Sequence, residues 1–218
     1  EKIFVTGNTV IDSLFWMLNK IENNSESDYL ISKKLTSVLN FDFKVEKYIL
    51  VTGHRRENFG QGFIEICNAL ANLAAKYPNI HFVYPVHMNP NVQDPVNKEL
   101  KGLLNIHLIK PLDYDVFVYL LKFCHLVLTD SGGIQEEAQS LGKPVLVMRD
   151  LTERPEAIDA ETVKLVGANK SMIFHGVCNL LDNDEIYTKM SLAHTPYGDG
   201  RACERIISAI KKVFHEKL

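Results

Sequence analysis

The chain has 218 residues, 46% of them apolar and 23% charged, and a net charge of −3. That length can bury a substantial core as one large domain or two small ones. So small a charge argues against nucleic acid or an anionic membrane as partner. No apolar run approaches the ~18 residues of a membrane span.

The sequence opens Glu1-Lys2-Ile3-Phe4-Val5, with neither an initiator Met nor a signal peptide, as expected of a fragment. Val10, Leu14, Met17, Leu18 and Ile21 then recur at helix spacing, with Asn8 or Thr9 placed to cap the helix. Tyr48–Thr52 is the first of several short apolar runs that read as buried parallel strands. Phe63, Ile66, Cys67, Leu70, Leu73 and Ala74 form a helical stripe after it.

Ile80–Tyr84 is the next strand and Ile106–Ile109 a weaker one. Asp113 is placed as the N-cap of a helix marked by Val116, Phe117, Leu120 and Leu121. Leu126–Thr129, Pro144–Met148 and Val163–Val166 continue the strands. Ile206, Ile207, Ile210, Val213 and Phe214 close the chain with another helical stripe. Both end helices need an apolar partner, in this domain or in one that is missing. Strands alternating with helices predict an α/β fold, a doubly wound parallel sheet of the Rossmann-like kind.

Cys67, Cys124, Cys178 and Cys203 stand far apart among apolar neighbours, without a C-x-x-C pair. They read as reduced, mostly buried thiols of a cytosolic protein. His81, His107, His125, His175, His194 and His215 show no metal-ligand spacing, so no metal site is expected.

Ligands of open parallel sheets bind beyond the carboxyl ends of the strands, at the switch point. After Leu126–Thr129 comes Asp130-Ser131-Gly132-Gly133-Ile134-Gln135-Glu136-Glu137. A Ser-Gly-Gly turn opening a helix presents backbone N–H groups to a diphosphate, and glycine lets the anion approach closely. Glu137, one turn on, is placed to accept from a ribose diol. The same residues could instead be a turn whose acids merely complement the helix dipole.

After Tyr48–Thr52 comes Gly53-His54-Arg55-Arg56-Glu57-Asn58. Arg pairs well with phosphate, and imidazole can give a proton to a departing one. A solvated basic loop is the plain alternative. The pattern is not G-x-G-x-x-G, which disfavours a nicotinamide cofactor. His87 lies between two prolines, and a lone His of this kind is more often structural than functional; Arg154, beside a Pro, could equally form a helix-start salt bridge.

Taken together, GNTVID at 7–12, GHRREN at 53–58, PVHMNP at 85–90, DSGGIQEEA at 130–138, GKPVLVMRDLTERPEA at 142–157 and PYGDG at 196–200 follow one order. They resemble the C-terminal half of the bacterial non-hydrolysing UDP-N-acetylglucosamine 2-epimerases over nearly the whole chain. The GKPVLVMRDLTERPEA run is absent from the hydrolysing relatives.

The resemblance implies one half of a glycosyltransferase-B-like two-domain fold and an isomerase that interconverts UDP-GlcNAc and UDP-ManNAc. The route it implies eliminates UDP to a 2-acetamidoglucal and adds it back, with no cofactor and no metal. It places Ser131, Gly132 and Gly133 on the diphosphate, Glu137 on the ribose, and Phe117 with the backbone near Leu112 on the uracil. His54, Arg56 and Arg154 would lie along the phosphates, His54 assisting departure of UDP. Arg55 and His87 would face a second, allosteric UDP-GlcNAc site.

Expected partners are UDP, the two UDP-sugars, an absent N-terminal domain and, at full length, a second copy in a homodimer. That absent half would supply the acids that move the C2 proton, so the isolated chain should bind UDP weakly and epimerise nothing. Residues 1–22 are then an interdomain region, 23–200 the UDP-binding domain, and 201–218 a helix returning toward the missing domain. Two departures from the family pattern are Glu161, where Gly is usual, and Thr195, where Asn is usual. The donor domain of a UDP-sugar glycosyltransferase and a non-catalytic sugar-nucleotide sensor are the competing readings.

Overall fold

The structure, a computed structural model, describes residues 3–151, 162–192 and 196–215. Six parallel strands form its sheet: β1 (Tyr48–Thr52), β2 (His81–Pro85), β3 (Ile106–Ile109), β4 (Leu126–Thr129), β5 (Val145–Val147) and β6 (Val163–Leu165). Their order is β3-β2-β1-β4-β5-β6. The chain starts at the centre, winds outward to β3, returns to lay β4 beside β1, and winds out the other way. The switch point lies between β1 and β4, whose residues pair from Ile49–Leu126 to Thr52–Thr129.

Every residue of β1 and β4 is buried, which is why these strands read as unbroken apolar runs. Side chains alternate between two cores. Ile49 and Val51 face α3 (Gln61–Lys76), α4 (Pro90–Leu100) and α7 (Lys170–Asp182). Tyr48 and Leu50 face α1 (Thr9–Glu22), α2 (Ser25–Leu39), α5 (Tyr114–Phe123) and α6 (Gly132–Ser140). Two further helices, α8 (Asp184–Ser191) and α9 (Ala202–His215), follow α7.

All six expected strands are present, each bounded within a residue of its expected ends. The helices α2, α4, α7 and α8 were not expected from periodicity; α4 carries Pro90 at its start and Pro95 inside it. Asn8 caps α1, its Oδ1 accepting from the Val10 N–H at 3.0 Å. Asp113 occupies the cap position of α5, but its side chain makes no cap bond and pairs with Lys34 at 3.1 Å. Three cysteines are buried as expected; Cys203 is exposed.

The two ends of the chain meet. The Asp12 carboxyl on α1 accepts from the Ala202 and Cys203 N–H groups at 3.0 and 2.8 Å, capping α9. Burial pushes that carboxyl up, but these N–H groups outweigh it and hold Asp12 below its ordinary value. Beyond this cap α9 is little covered, and Ile207, Ile210 and Phe214 are half or more exposed. Among the described residues no helix is long and apolar enough to cross a membrane.

Candidate functional site

The carboxyl ends of β1 and β4 are joined by one buried side chain. Asp130, the first residue after β4, is fully buried. Its carboxyl accepts from the His54 N–H at 3.0 and 3.2 Å, from the Arg55 N–H at 2.8 Å and from Asn58 Nδ2 at 3.2 Å. Asn58 Nδ2 also reaches the Met148 carbonyl beyond β5, at 3.1 Å. Arg149 adds a 2.6 Å bond to Glu57. The segment from Gly53 to Asn58 is thereby fixed over the switch point without belonging to a strand.

Just beyond Asp130, Ser131 takes the N-cap position of α6, yet its side chain makes no bond to the first turn. A Cβ added to Gly133 would meet no atom within 4 Å, so the face of this turn is open. An anion could approach these backbone N–H groups directly. Glu136 and Glu137 diverge in role. Asn8 Nδ2 donates to Glu136 at 2.8 Å, tying α6 to α1. Glu137 instead accepts from the Tyr114 hydroxyl at 2.8 Å. Burial raises the Glu137 carboxyl above its ordinary value, and the Tyr114 bond opposes that rise. Phe117 and Leu112, both partly buried, pack at the edge of the core beneath α5.

His54, Arg55, Arg56, Glu57, His87 and Asn89 line an opening of about 450 Å³. The rings of His54 and His87 stack with centroids 5.5 Å apart. The Asn89 N–H donates to His87 Nδ1 at 3.2 Å, which sets one nitrogen of that ring as acceptor. Arg55 Nε is buried with no hydrogen-bond partner among the described residues. An unsatisfied guanidinium nitrogen beside two imidazoles and a second Arg suits a polyanionic ligand.

The structure thus gathers His54, Arg55, Arg56 and His87 around one opening, and Ser131, Gly132, Gly133 and Glu137 along the turn and helix beside it. Arg154, like Glu161 and Thr195, lies outside the described residues. Sequence reasoning gave no role to Asp130, Asn58 or Tyr114. For Asp130 a signal existed, since an acid directly after a buried strand at the switch point faces backbone rather than water. Tyr114 had none.

The sequence model of the family described as UDP-N-acetylglucosamine 2-epimerase matches residues 1–211. The chain belongs to that family. It is 57% identical over 211 residues to the UDP-N-acetylglucosamine 2-epimerase of Yersinia pestis, covering 97% of this chain and 55% of that protein. Against the enzyme of Campylobacter jejuni it is 55% identical over 215 residues, again covering 97% and 55%. The chain therefore spans about half the length of the curated relatives it matches.

Among solved structures, the Neisseria meningitidis epimerase bound to UDP-GlcNAc superposes with a TM-score of 0.90 at 45% identity, over 97% of this chain and 56% of that one. The Methanocaldococcus jannaschii epimerase in complex with UDP-GlcNAc and UDP gives 0.79 at 31% identity, over 97% and 55%. The C-terminal domain of a Francisella tularensis glycosyl transferase gives 0.56 at 18% identity, over 74% and 85%, a likeness of fold alone. The family's sheet is thus the Rossmann-like half of a glycosyltransferase-B-like fold.

Proposed function

We propose that this chain is the UDP-binding half of a non-hydrolysing UDP-N-acetylglucosamine 2-epimerase, which interconverts UDP-GlcNAc and UDP-ManNAc. The observation that carries the reading is the juxtaposition at the switch point: an open Ser-Gly-Gly helix start directly follows Asp130, whose carboxyl holds the basic segment in place. Ser131, Gly132 and Gly133 hold the diphosphate through backbone N–H groups and the helix dipole. Glu137 takes the ribose diol, displacing Tyr114, and the uracil lies against Phe117 and the Leu112 backbone. Arg56 and Arg154 neutralise the phosphates.

In this reading the C2 proton is removed by acids of the other half, and the C1–O bond to UDP breaks to leave a 2-acetamidoglucal. His54 donates a hydrogen bond or proton to the departing diphosphate and takes it back on re-addition. Arg55 and His87 serve a second, allosteric UDP-GlcNAc. Residues 1–22 and 201–218 make the passage between halves, where exposed Trp16, Ile207, Ile210 and Phe214 find cover. The full-length enzyme is a cytoplasmic homodimer serving polysaccharide synthesis.

Calorimetric titration of UDP into this chain and into Glu137→Ala tests the site. The loss expected is about 1.5–3 kcal/mol, as for hydrogen bonds to charged groups. Undiminished binding by the variant would refute the ribose role. Appearance of ManNAc product from the full-length enzyme without an acceptor separates the epimerase from a UDP-sugar glycosyltransferase.

A further inference from the structure

We propose that Asp130 is a positioning residue, setting where His54 stands over the diphosphate while touching no ligand itself; the assignment rests on the reading of the site given above. Two successive backbone N–H groups, those of His54 and Arg55, turn inward to one fully buried carboxyl, and Asn58 brings a third donor. Few side chains can meet this demand. An ionised carboxyl offers two oxygens and no donor, whereas Asn would present an NH₂ group to a cluster that only donates.

The same carboxyl faces the His54 ring, with Oδ1 3.6 Å from Nδ1. That is beyond a hydrogen bond but close enough to favour the ring face that turns Nδ1 toward Asp130. Nε2 is then the nitrogen left for the opening. Asn58 extends the hold, because its second bond to the Met148 carbonyl fixes the segment against β5 as well. The imidazole therefore takes its position from the switch point of the sheet, not from its own loop.

The test uses the complete enzyme with its other half present, comparing wild type, Asp130→Asn, His54→Ala and the double variant. Asp130→Asn is expected to lower kcat tenfold or more with KM changed less than threefold. It should speed amide hydrogen exchange at His54 and Arg55. On the His54→Ala background it should cost nothing further, since a residue acting only through another is silent once that other is gone. An equal loss of kcat on both backgrounds would overturn the proposal, as would unchanged amide exchange at His54 and Arg55. Should Asp130→Asn fail to fold, Asn58→Ala removes one anchor only. It should give a smaller loss of kcat that also vanishes with His54→Ala, and persistence of that loss would overturn the idea equally. If the wild-type enzyme does not epimerise, the functional reading fails by itself, and the exchange experiment still decides the positioning.

Discussion

Tyr114 and Glu137 meet hydroxyl to carboxyl at 2.8 Å, and the acid that receives this bond is buried and raised in pKa. A carboxyl whose folded pKa exceeds its unfolded value weakens the fold once pH rises through that folded value. Glu137→Gln keeps an acceptor for Tyr114 and loses the charge. It should unfold at a higher urea concentration than wild type at pH 8, the difference closing as pH falls below the ordinary value of 4.5. UDP affinity should fall in the same variant. Equal midpoints at pH 8 would mean that the buried charge carries no cost.

Two half-buried histidines give the opposite sign. His107 and His125 are lowered from 6.5 to about 4, chiefly by burial. A lowered His stabilises the fold above its unfolded pKa and loses that stability as pH falls toward the folded one. Allowing for partial exposure, acidification from 6.5 to 4 should remove about 1–2 kcal/mol per histidine. His125 stacks on Tyr187 at 4.2 Å with nearly parallel rings, so His125→Phe preserves the packing. Urea unfolding across that range should be flatter in this variant. A slope identical to wild type would refute the attribution.

The sheet has a polar clasp away from the site. Asn105 Nδ2 lies 3.1, 3.0 and 2.9 Å from the carbonyls of Ala74, Tyr77 and Ile80. Asn105→Ala strands these buried acceptors and should cost about 1–3 kcal/mol. Asn105→Asp, which turns an oxygen toward them, should cost more. Denaturant midpoints give the order, and an Asp variant as stable as wild type would contradict it. UDP binding by whatever remains folded should be unaffected.

Gly200, in the PYGDG segment, has φ +79°, and a Cβ there would lie 2.6 Å from the Phe15 ring. Gly200→Ala combines a left-handed backbone penalty of about 1–2 kcal/mol with displacement of that ring. The capping of α9 by Asp12 should loosen, seen as faster amide exchange at Ala202 and Cys203. Protection equal to wild type would show that the Phe15 contact does not hold the helix.

Much of this architecture was legible because parallel strands buried on both faces leave unbroken runs such as Tyr48–Thr52. The open glycine turn before Glu137 was legible because strand, turn and helix follow one another directly. What stayed hidden was mostly tertiary. Asn8 and Asp12 look like a cap and a first-turn acid, yet Asn8 also binds Glu136 and Asp12 caps a helix that begins 190 residues later. Periodicity carries no information about such partners. Asp113 makes no side-chain cap bond, its exposed carboxyl pairing with Lys34 of a different helix instead. The α9 stripe is apolar but largely uncovered, since spacing shows that a face wants burial and not what supplies it.

The bonds from Asp130 to His54, Arg55 and Asn58 bridge 76, 75 and 72 residues of sequence. Between their ends the chain must complete two strand–helix excursions and return to the centre of the sheet. Contacts of such separation bear a loop-closure cost that neighbouring ones do not. During synthesis the segment 53–58 emerges before Asp130, so its inward N–H groups lack this acceptor until β4 is laid down. The basic segment is therefore ordered only by completion of the crossover, and a nascent chain still lacking β4 cannot present the finished anion site.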